Sequence, residues 1–309
     1  MKIEPFFSVI INCHNSEKFL AEALNSVLLQ TFKDFEVIVL DNASTDRTAS
    51  IAKSFKENVK YFYSENKLSL GQARNVAISY ASGTFLAFLD SDDTWLTNKL
   101  ARQFEAIHSA KTDRKIGICG CDAMRVNYDL SPIIEYSKGR KFSDSNILLS
   151  LIQDCFIPMS SCTVSKEICE SLGGFNENYE IIEEWDLWIR IAMQYELIYL
   201  DEVLANVRFH GTNTSKDYRL HFDEINEMLD KVEDQKVIDP GELQNIRIWF
   251  KLRYLLVDTS NALKTNKLSF FRSFFALIFL CMRTPKTSYS MAKFYFNPKL
   301  LKFFIVKYF

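Results

Sequence analysis

The sequence predicts an open, doubly wound α/β domain on a mostly parallel sheet, followed by a helical C-terminal extension. Three observations carry that expectation. Apolar, β-branched runs alternate with amphipathic helical segments over the first hundred residues, polar residues collect directly after those runs, and from Asp217 onward helical periodicity takes over. Alternating β and α elements need crossover connections, and these give parallel strands covered on both faces. With 309 residues, 48% apolar and 25% charged, the chain can build such a domain and its extension, although 26 phenylalanines is a high count. The expected division is a sheet domain over 1–215 and a helical region over 216–309.

The elements can be justified in order. "FFSVIIN" is a short apolar run and predicts strand one. "SEKFLAEALNSVLLQ" places apolar residues at 19, 20, 23, 24, 27 and 28, one face of a helix, with Ser16 positioned to cap it. "FEVIVLD" reads as a second buried strand, "STDRTASIAKSFKE" as a capped helix and "VKYFY" as a third strand. "GQARNVAISYAS" reads as a third helix and "TFLAFLD" as a fourth strand. A helix over 98–110, the strand-like "KIGICGC" and a less regular stretch to about residue 145 come next. "IPMSSCTVS" suggests a strand, and "KEICESLGGF" a short helix stopped by Gly173 and Gly174. "EEWDLWIRIAMQY" predicts a helix with Trp185, Trp188, Ile189 and Ala192 spaced for burial, and "VLANVRFH" a late strand. There is no internal repeat or low-complexity segment.

In doubly wound sheets, ligands gather outside the carboxyl ends of the strands. Three places qualify: His14 and Asn15 after strand one, Asp41 after strand two, and the run Asp90, Asp92 and Asp93 after strand four. Like charges that close make one another harder to ionise. One Asp would suffice to cap the following helix, so three ask for more. A calcium loop needs alternating oxygen ligands around a Gly turn, and "DSDDTWLTNKLA" has no Gly. The favoured reading is Mg²⁺ or Mn²⁺, held by one or two carboxylates and completed by substrate phosphate oxygens.

The net charge of −2 hides an asymmetry. Residues 259–309 carry nine Lys or Arg and no Asp or Glu, so the remainder holds 28 basic against 39 acidic residues. An acidic body argues against nucleic acid as a partner. In the basic tail, Phe270, Phe271, Phe274, Phe275 and Phe279 recur at helical spacing among cations. That pattern suits either core packing, a dimer seam or attachment to an anionic membrane surface, and the charge favours the membrane. The longest apolar segment, "LSFFRSFFALIFLCM", is too short to span a bilayer and contains Arg272. The N-terminus, with Glu4 and no long apolar core, predicts no signal peptide. Seven scattered cysteines without paired metal spacing suit reduced thiols in the cytosol.

Taken in order, "SVIINCHN", "FEVIVLDNASTDRT", "GQARNVAISYASGTFLAFLDSDD", "EEWDLWIR" and "VRFHGTNTS" resemble the family-two inverting glycosyltransferases of GT-A fold, over roughly residues 7 to 215. The resemblance implies that Asp41 accepts the uracil N3–H of a UDP-sugar, and that Arg74 lies near the nucleotide or its diphosphate with Asn75 shaping the loop. Asn15 joins this nucleotide-binding edge. Asp90 and Asp92 form the D-x-D element, with Asp92 the direct metal ligand and Asp90 nearer the ribose or metal. His210 falls where a late His approaches the metal or diphosphate, and Glu184 falls where the family places its catalytic base. The chain departs from the pattern at Asn12, Cys13 and His14, where the family usually has Pro-Thr-Tyr, at Asn42 and at Glu184, both of which replace Asp.

Asp186 competes with Glu184 as the base. On a regular helix Glu183 and Asp186 share a face with Glu184 turned away, and the plain reading of all three is a solvated first turn favoured by the helix dipole. The implied reaction moves a hexose or N-acetylhexosamine from a UDP-sugar to a hydroxyl of a growing, lipid-linked glycan at the inner face of the cytoplasmic membrane. The cation stabilises the leaving diphosphate and a carboxylate takes the acceptor proton. Two other classes compete. A nucleotidylyltransferase needs a Gly-rich loop after strand one, which "INCHNSEKF" lacks. A non-catalytic UDP-sugar-binding or scaffold protein of the same fold would bind donor without releasing UDP.

Overall fold

The computed structural model describes residues 4–137, 142, 147–209, 218–265 and 284. Its strands are β1 (Phe7–Cys13), β2 (Phe35–Asn42), β3 (Lys60–Ser64), β4 (Phe85–Phe88), β5 (Thr94–Trp95), β6 (Ile116–Val126), β7 (Pro132–Glu135), β8 (Cys162–Ser165) and β9 (Glu196–Arg208). The helices are α1 (Leu20–Leu28), α2 (Thr48–Ser54), α3 (Leu70–Ser79), α4 (Lys99–Ser109), α5 (Ile147–Gln153), α6 (Lys166–Ser171), α7 (Glu183–Ala192), α8 (Tyr218–Gln235) and α9 (Pro240–Thr265). The chain divides into two compact units, Met1–Gly211 and Thr212–Phe309.

In the first unit the strand order is β3-β2-β1-β4-β8-β6-β9-β5, with β7 paired to β6. The block β3-β2-β1-β4 is parallel throughout, as the alternating pattern predicts. The β8 strand then enters antiparallel between β4 and β6, and β6 and β9 pair in parallel. The fold is therefore α/β with a mostly parallel sheet, as expected. Val9, Ile11, Val37, Val39, Ala87 and Leu89 are buried with Leu20, Ala23, Leu24 and Val27 of α1 in one core cluster. Trp188 of α7 is fully buried, lies 6.3 Å from Phe88 and 6.1 Å from Phe175, and donates its indole N–H to Ile157 O. That packing sets α7 against the middle of the sheet, so its N-terminus reaches the edge where the strands end.

Three local expectations change. The first helix begins at Leu20, not Ser16, and has no side-chain cap. Ser16 instead carries a turn in which its carbonyl accepts from Phe19 and Leu20 N–H, while its hydroxyl meets Ser91 Oγ at 2.8 Å. Second, Met159–Ser161 of the run expected as a strand form a 3₁₀ turn, and only Cys162–Ser165 pair in the sheet. Third, α2 begins at Thr48, about one turn later than predicted and without a side-chain cap at its N-cap Arg47, while Asp46, one residue earlier, accepts from Thr48 N at 2.9 Å. Gly173 and Gly174 end α6 with φ of +81° and +69°, as their positions suggest.

In the second unit, α8 buries Ile225, Met228, Leu229 and Val232, α9 buries Leu243, Ile246 and Phe250, and Phe222 stacks on Tyr254 at 4.4 Å. Among the described residues no helix is long and apolar enough to cross a membrane. Most of the basic, aromatic tail 259–309, including the five phenylalanines singled out above, lies outside the described residues.

The parallel block is stapled at one edge by Glu36. Its carboxylate accepts from Ser8 Oγ at 2.6 Å, Ser82 N at 2.7 Å and Ser82 Oγ at 2.8 Å, and pairs with Lys60. Burial alone would push this carboxyl up, but the bonds from Lys60, Ser8 and Ser82 outweigh it and hold it at about 2. A depressed carboxyl stabilises the fold fully above its unfolded value near 4.5 and loses that contribution as pH falls toward about 2. Urea midpoints measured across this window should therefore fall more steeply for the wild type than for Glu36→Gln. Parallel curves would refute the staple.

Candidate functional site

The expected polar residues do converge where the parallel strands end, and each is held by its neighbours. After β1, Asn15 adopts φ +51° and its side-chain oxygen accepts from Thr45 N at 2.9 Å, while its N–H donates to Ser44 Oγ at 2.9 Å. His14 Nδ1 lies 2.8 Å from Asn42 O. A carbonyl only accepts, so Nδ1 carries the proton and fixes the ring. These bonds join the loops after β1 and β2 into one wall.

Asp41 lies at the base of that wall and is fully buried. One oxygen accepts from Ser44 N at 2.9 Å and the other from Tyr61 Oη at 2.7 Å. Burial and the adjoining Asp41 charge push the Tyr61 hydroxyl up, which keeps it a donor. Asn42 pins the approach to α3 by exchanging two hydrogen bonds with Leu68 backbone, and Ser69 with Gln72 caps α3.

α3 carries Arg74 into the centre of the site. Its side chain is 3% exposed and faces three carboxylates. Nη1 pairs closely with Glu183 and lies 3.5 Å from Glu184 Oε2, while Nη2 lies 3.4 Å from Asp90 Oδ1. The guanidinium also sits 5.4 Å over the Phe175 ring. Burial opposes the Arg74 charge, but Glu183, Asp90 and Glu184 together raise its pKa further. Burial raises the Glu183 carboxyl against the pull of Arg74. Desolvation likewise raises the Asp90 carboxyl, Arg74 pulls it down and Asp92 pushes it up again, leaving it above the ordinary value.

The first turn of α7 departs from the regular-helix expectation. Glu183 and Asp186 are both buried, so this turn is not a solvated one. Arg74 lies across the helix end, where Glu183 and Glu184 both reach it although they are about 100° apart around the axis. Asp186 is committed elsewhere. It pairs with Arg190 at 2.8 Å, and Arg190 donates onward to Leu172 O and Gly174 O. Beside that turn, Asn75 Oδ1 accepts from Phe175 N, and a Cβ on Gly174 would stand 2.4 Å from the same oxygen, so the loop demands glycine there.

The acidic run after β4 separates into two kinds of carboxylate. Asp90 and Asp92 are partly exposed. Asp93 is buried, accepting from Ser160 Oγ at 2.5 Å and Arg208 N at 2.7 Å. Two accessible, mutually repelling carboxylates fit a hard divalent cation. Among the described residues no group of three or more His, Cys, Asp or Glu is placed to hold such an ion. His210 lies outside the described residues. Sequence reasoning missed Glu183 as the main partner of Arg74 and missed Ser160 altogether. The double Glu before Trp185 hinted at the first, while nothing local marks the second.

Comparison with known proteins agrees with this architecture. The family profile described as Glycosyl transferase family 2 matches residues 8–167. An uncharacterized glycosyltransferase, RT0329 of Rickettsia typhi, is 28% identical over 247 residues, covering 78% of this chain and 73% of that protein. The match to longer Rickettsia relatives spans about a third of their length, 36% in R. conorii and 35% in R. bellii. Over 97 residues, 31% of this chain and 38% of that protein, the chain is 40% identical to the Escherichia coli protein named UDP-Glc:alpha-D-GlcNAc-diphosphoundecaprenol beta-1,3-glucosyltransferase WfgD. Among solved structures, TarS 1-349 of S. aureus in complex with UDP-GlcNAc superposes with a TM-score of 0.63 at 20% identity, covering 97% of this chain and 90% of that one. The mannosyltransferase PcManGT of Pyrobaculum calidifontis, in complex with GDP-Man and Mn²⁺, gives 0.60 at 16% identity, covering 99% and 88%. At these identities the structures establish the fold alone.

The Arg74 cluster makes a stability prediction. Removing the cation from a buried pair leaves an uncompensated charge, at a cost of about 3–5 kcal/mol. Arg74→Met should lower unfolding free energy by about that amount. Adding Glu183→Gln should recover part of the loss, because the two side chains are coupled. Additive single and double variants in chemical denaturation would show that the contact contributes nothing.

Proposed function

The chain belongs to glycosyl transferase family 2 and is a glycosyltransferase of GT-A fold, and on that premise we propose that it transfers a hexose or N-acetylhexosamine from a UDP-sugar, with inversion, to a hydroxyl of a lipid-linked glycan. One observation carries the reading. Arg74 joins Asp90, from the loop after β4, to Glu184, from the start of α7, so the two carboxylates needed at opposite sides of a displacement share one guanidinium.

In this reading Asn15 and Asp41 form the nucleobase edge. Asp41 receives the uracil N3–H when the Tyr61 hydroxyl turns aside from its oxygen. Arg74 serves the nucleotide end by fixing Asp90. Asp92 and Asp90, with His210, are the residues that would hold Mn²⁺ or Mg²⁺, which supplies positive charge to the leaving diphosphate. Glu184 is the base, since its side chain is 25% exposed and open to an acceptor, whereas Asp186 is sealed and tied to Arg190. Glu184 takes the acceptor hydroxyl proton as the acceptor oxygen bonds to the anomeric carbon. The bond from that carbon to the phosphate oxygen breaks, and its electron pair leaves with UDP. A single displacement inverts the anomeric centre. The UDP-GlcNAc bound by TarS supports the donor class, and the name of WfgD supports the lipid-linked acceptor.

Loss of a general base costs a factor of about 10² to 10⁴ in rate. Glu184→Gln should therefore lose most Mn²⁺-dependent UDP release from UDP-sugars yet retain UDP binding by calorimetry. A dead Asp186→Asn beside an active Glu184→Gln would move the base to Asp186. UDP-sugar binding without any UDP release across acceptors would leave a binding protein.

Residues 259–309 supply the attachment to the cytoplasmic face of the membrane in this proposal, through nine cations and a Phe-rich helical pattern. Binding to anionic liposomes should weaken with salt without vanishing, because apolar insertion is not screened. Full-length protein that stays free of anionic liposomes at low salt would point to a soluble acceptor.

A further inference from the structure

The loop that carries Asp90 and Asp92 is not held by its own residues alone. Asp93 N–H donates to Asp90 O at 3.0 Å and closes the turn. Beneath it, Ser160 donates its hydroxyl to Asp93 Oδ2 at 2.5 Å and accepts the Asp90 N–H at 3.1 Å. Ser160 is itself fixed, because its carbonyl accepts the Trp95 indole N–H at 2.7 Å. On the other side, Asp93 Oδ1 accepts Arg208 N–H at 2.7 Å, and Arg208 Nη1 donates to Asp92 O at 2.6 Å. Arg208 Nη2 meets Glu22 Oε2 at 2.8 Å, and its guanidinium lies 4.2 Å over the Phe19 ring. Ser160, Asp93 and Arg208 are all buried.

Two arms of this network end on the backbone of the acidic loop. Ser160 reaches the Asp90 amide, Arg208 reaches the Asp92 carbonyl, and Asp93 joins the two. With an oxygen committed to each partner and no access to solvent, Asp93 is unsuited to be a ligand. We propose that Asp93 and Ser160 are positioning residues, which together with Arg208 fix the backbone from which Asp90 and Asp92 present their carboxylates, and so set the affinity for the divalent cation. The inference rests on the reading of Asp90 and Asp92 as cation-binding residues. It extends that reading to β9, because Arg208 ends that strand two residues before His210. Supports of this kind typically change metal affinity by about 10- to 100-fold when removed.

The test uses the full chain and Mn²⁺ itself, measured by electron paramagnetic resonance in the presence of UDP, with calorimetry for UDP alone and thermal unfolding alongside. Ser160→Ala and Asp93→Asn should each weaken Mn²⁺ binding by about 10- to 100-fold, while metal-free UDP binding stays within about twofold. Ser160→Thr, which keeps the hydroxyl, should restore most of the affinity. A folded Ser160→Ala with wild-type Mn²⁺ affinity would overturn the proposal. So would an equal loss of metal-free UDP binding, because the serine would then support the site in general and not the cation. Asp92→Asn separates the two levels of the argument. If it leaves Mn²⁺ binding intact, the metal assignment fails and takes the clamp with it; if it abolishes binding while Ser160→Ala and Asp93→Asn do not weaken it, only the clamp fails.

Discussion

A guanidinium buried at the edge of the sheet is the constraint around which this site is organised. Arg74 cannot be deprotonated, and a lone cation in a 3% exposed position would be costly to bury. Its compensation comes from three carboxylates on two separate elements, Asp90 after β4 and Glu183 and Glu184 on α7. Satisfying that charge requires α3, α7 and the loop after β4 to meet at one point. Once they do, residues 16 and 110 positions from Arg74 in the chain share a single fixed geometry. The demand for charge balance thus assembles the place where chemistry can occur.

The carboxylates divide between open and sealed positions. Glu183, Asp93 and Asp186 are buried and paired with Arg74 through one oxygen, with Ser160 and the Arg208 amide, and with Arg190 respectively. Glu184, Asp90 and Asp92 remain partly exposed. Two of the open carboxylates stand beside a sealed one in the sequence, Glu184 after Glu183 and Asp92 before Asp93, so there the sealed residue anchors the backbone next to its exposed neighbour. This arrangement suits a reaction that needs carboxylates at fixed positions, since the anchoring bonds are made before any substrate arrives.

The loops after β1 and β2 follow a similar logic with neutral groups. Asn15, Ser44, Thr45 and His14 exchange hydrogen bonds across the two loops, and Asp41 closes the second through Ser44 and Tyr61. These bonds tie the two loops to each other.

Periodicity and punctuation were enough to read the parallel β3-β2-β1-β4 block, the helix around Trp188 and the glycine stop after α6, because those features depend on local pattern and on burial of one face. The motif order likewise identified the family and the polar edge of the sheet. Tertiary structure alone decided which carboxylates are open. "DSDD" and "EEWD" each present three acids with nothing local to rank them, and their fates depend on Ser160, Arg208, Arg74 and Arg190, three of which lie far away in the chain. It also decided that Ser16 turns to Ser91 instead of capping α1, and that β8 enters the sheet antiparallel. The physical reason is the same in each case. Hydrophobic periodicity is written along the chain, whereas the partner of a buried polar group is set by whichever distant segment folds against it.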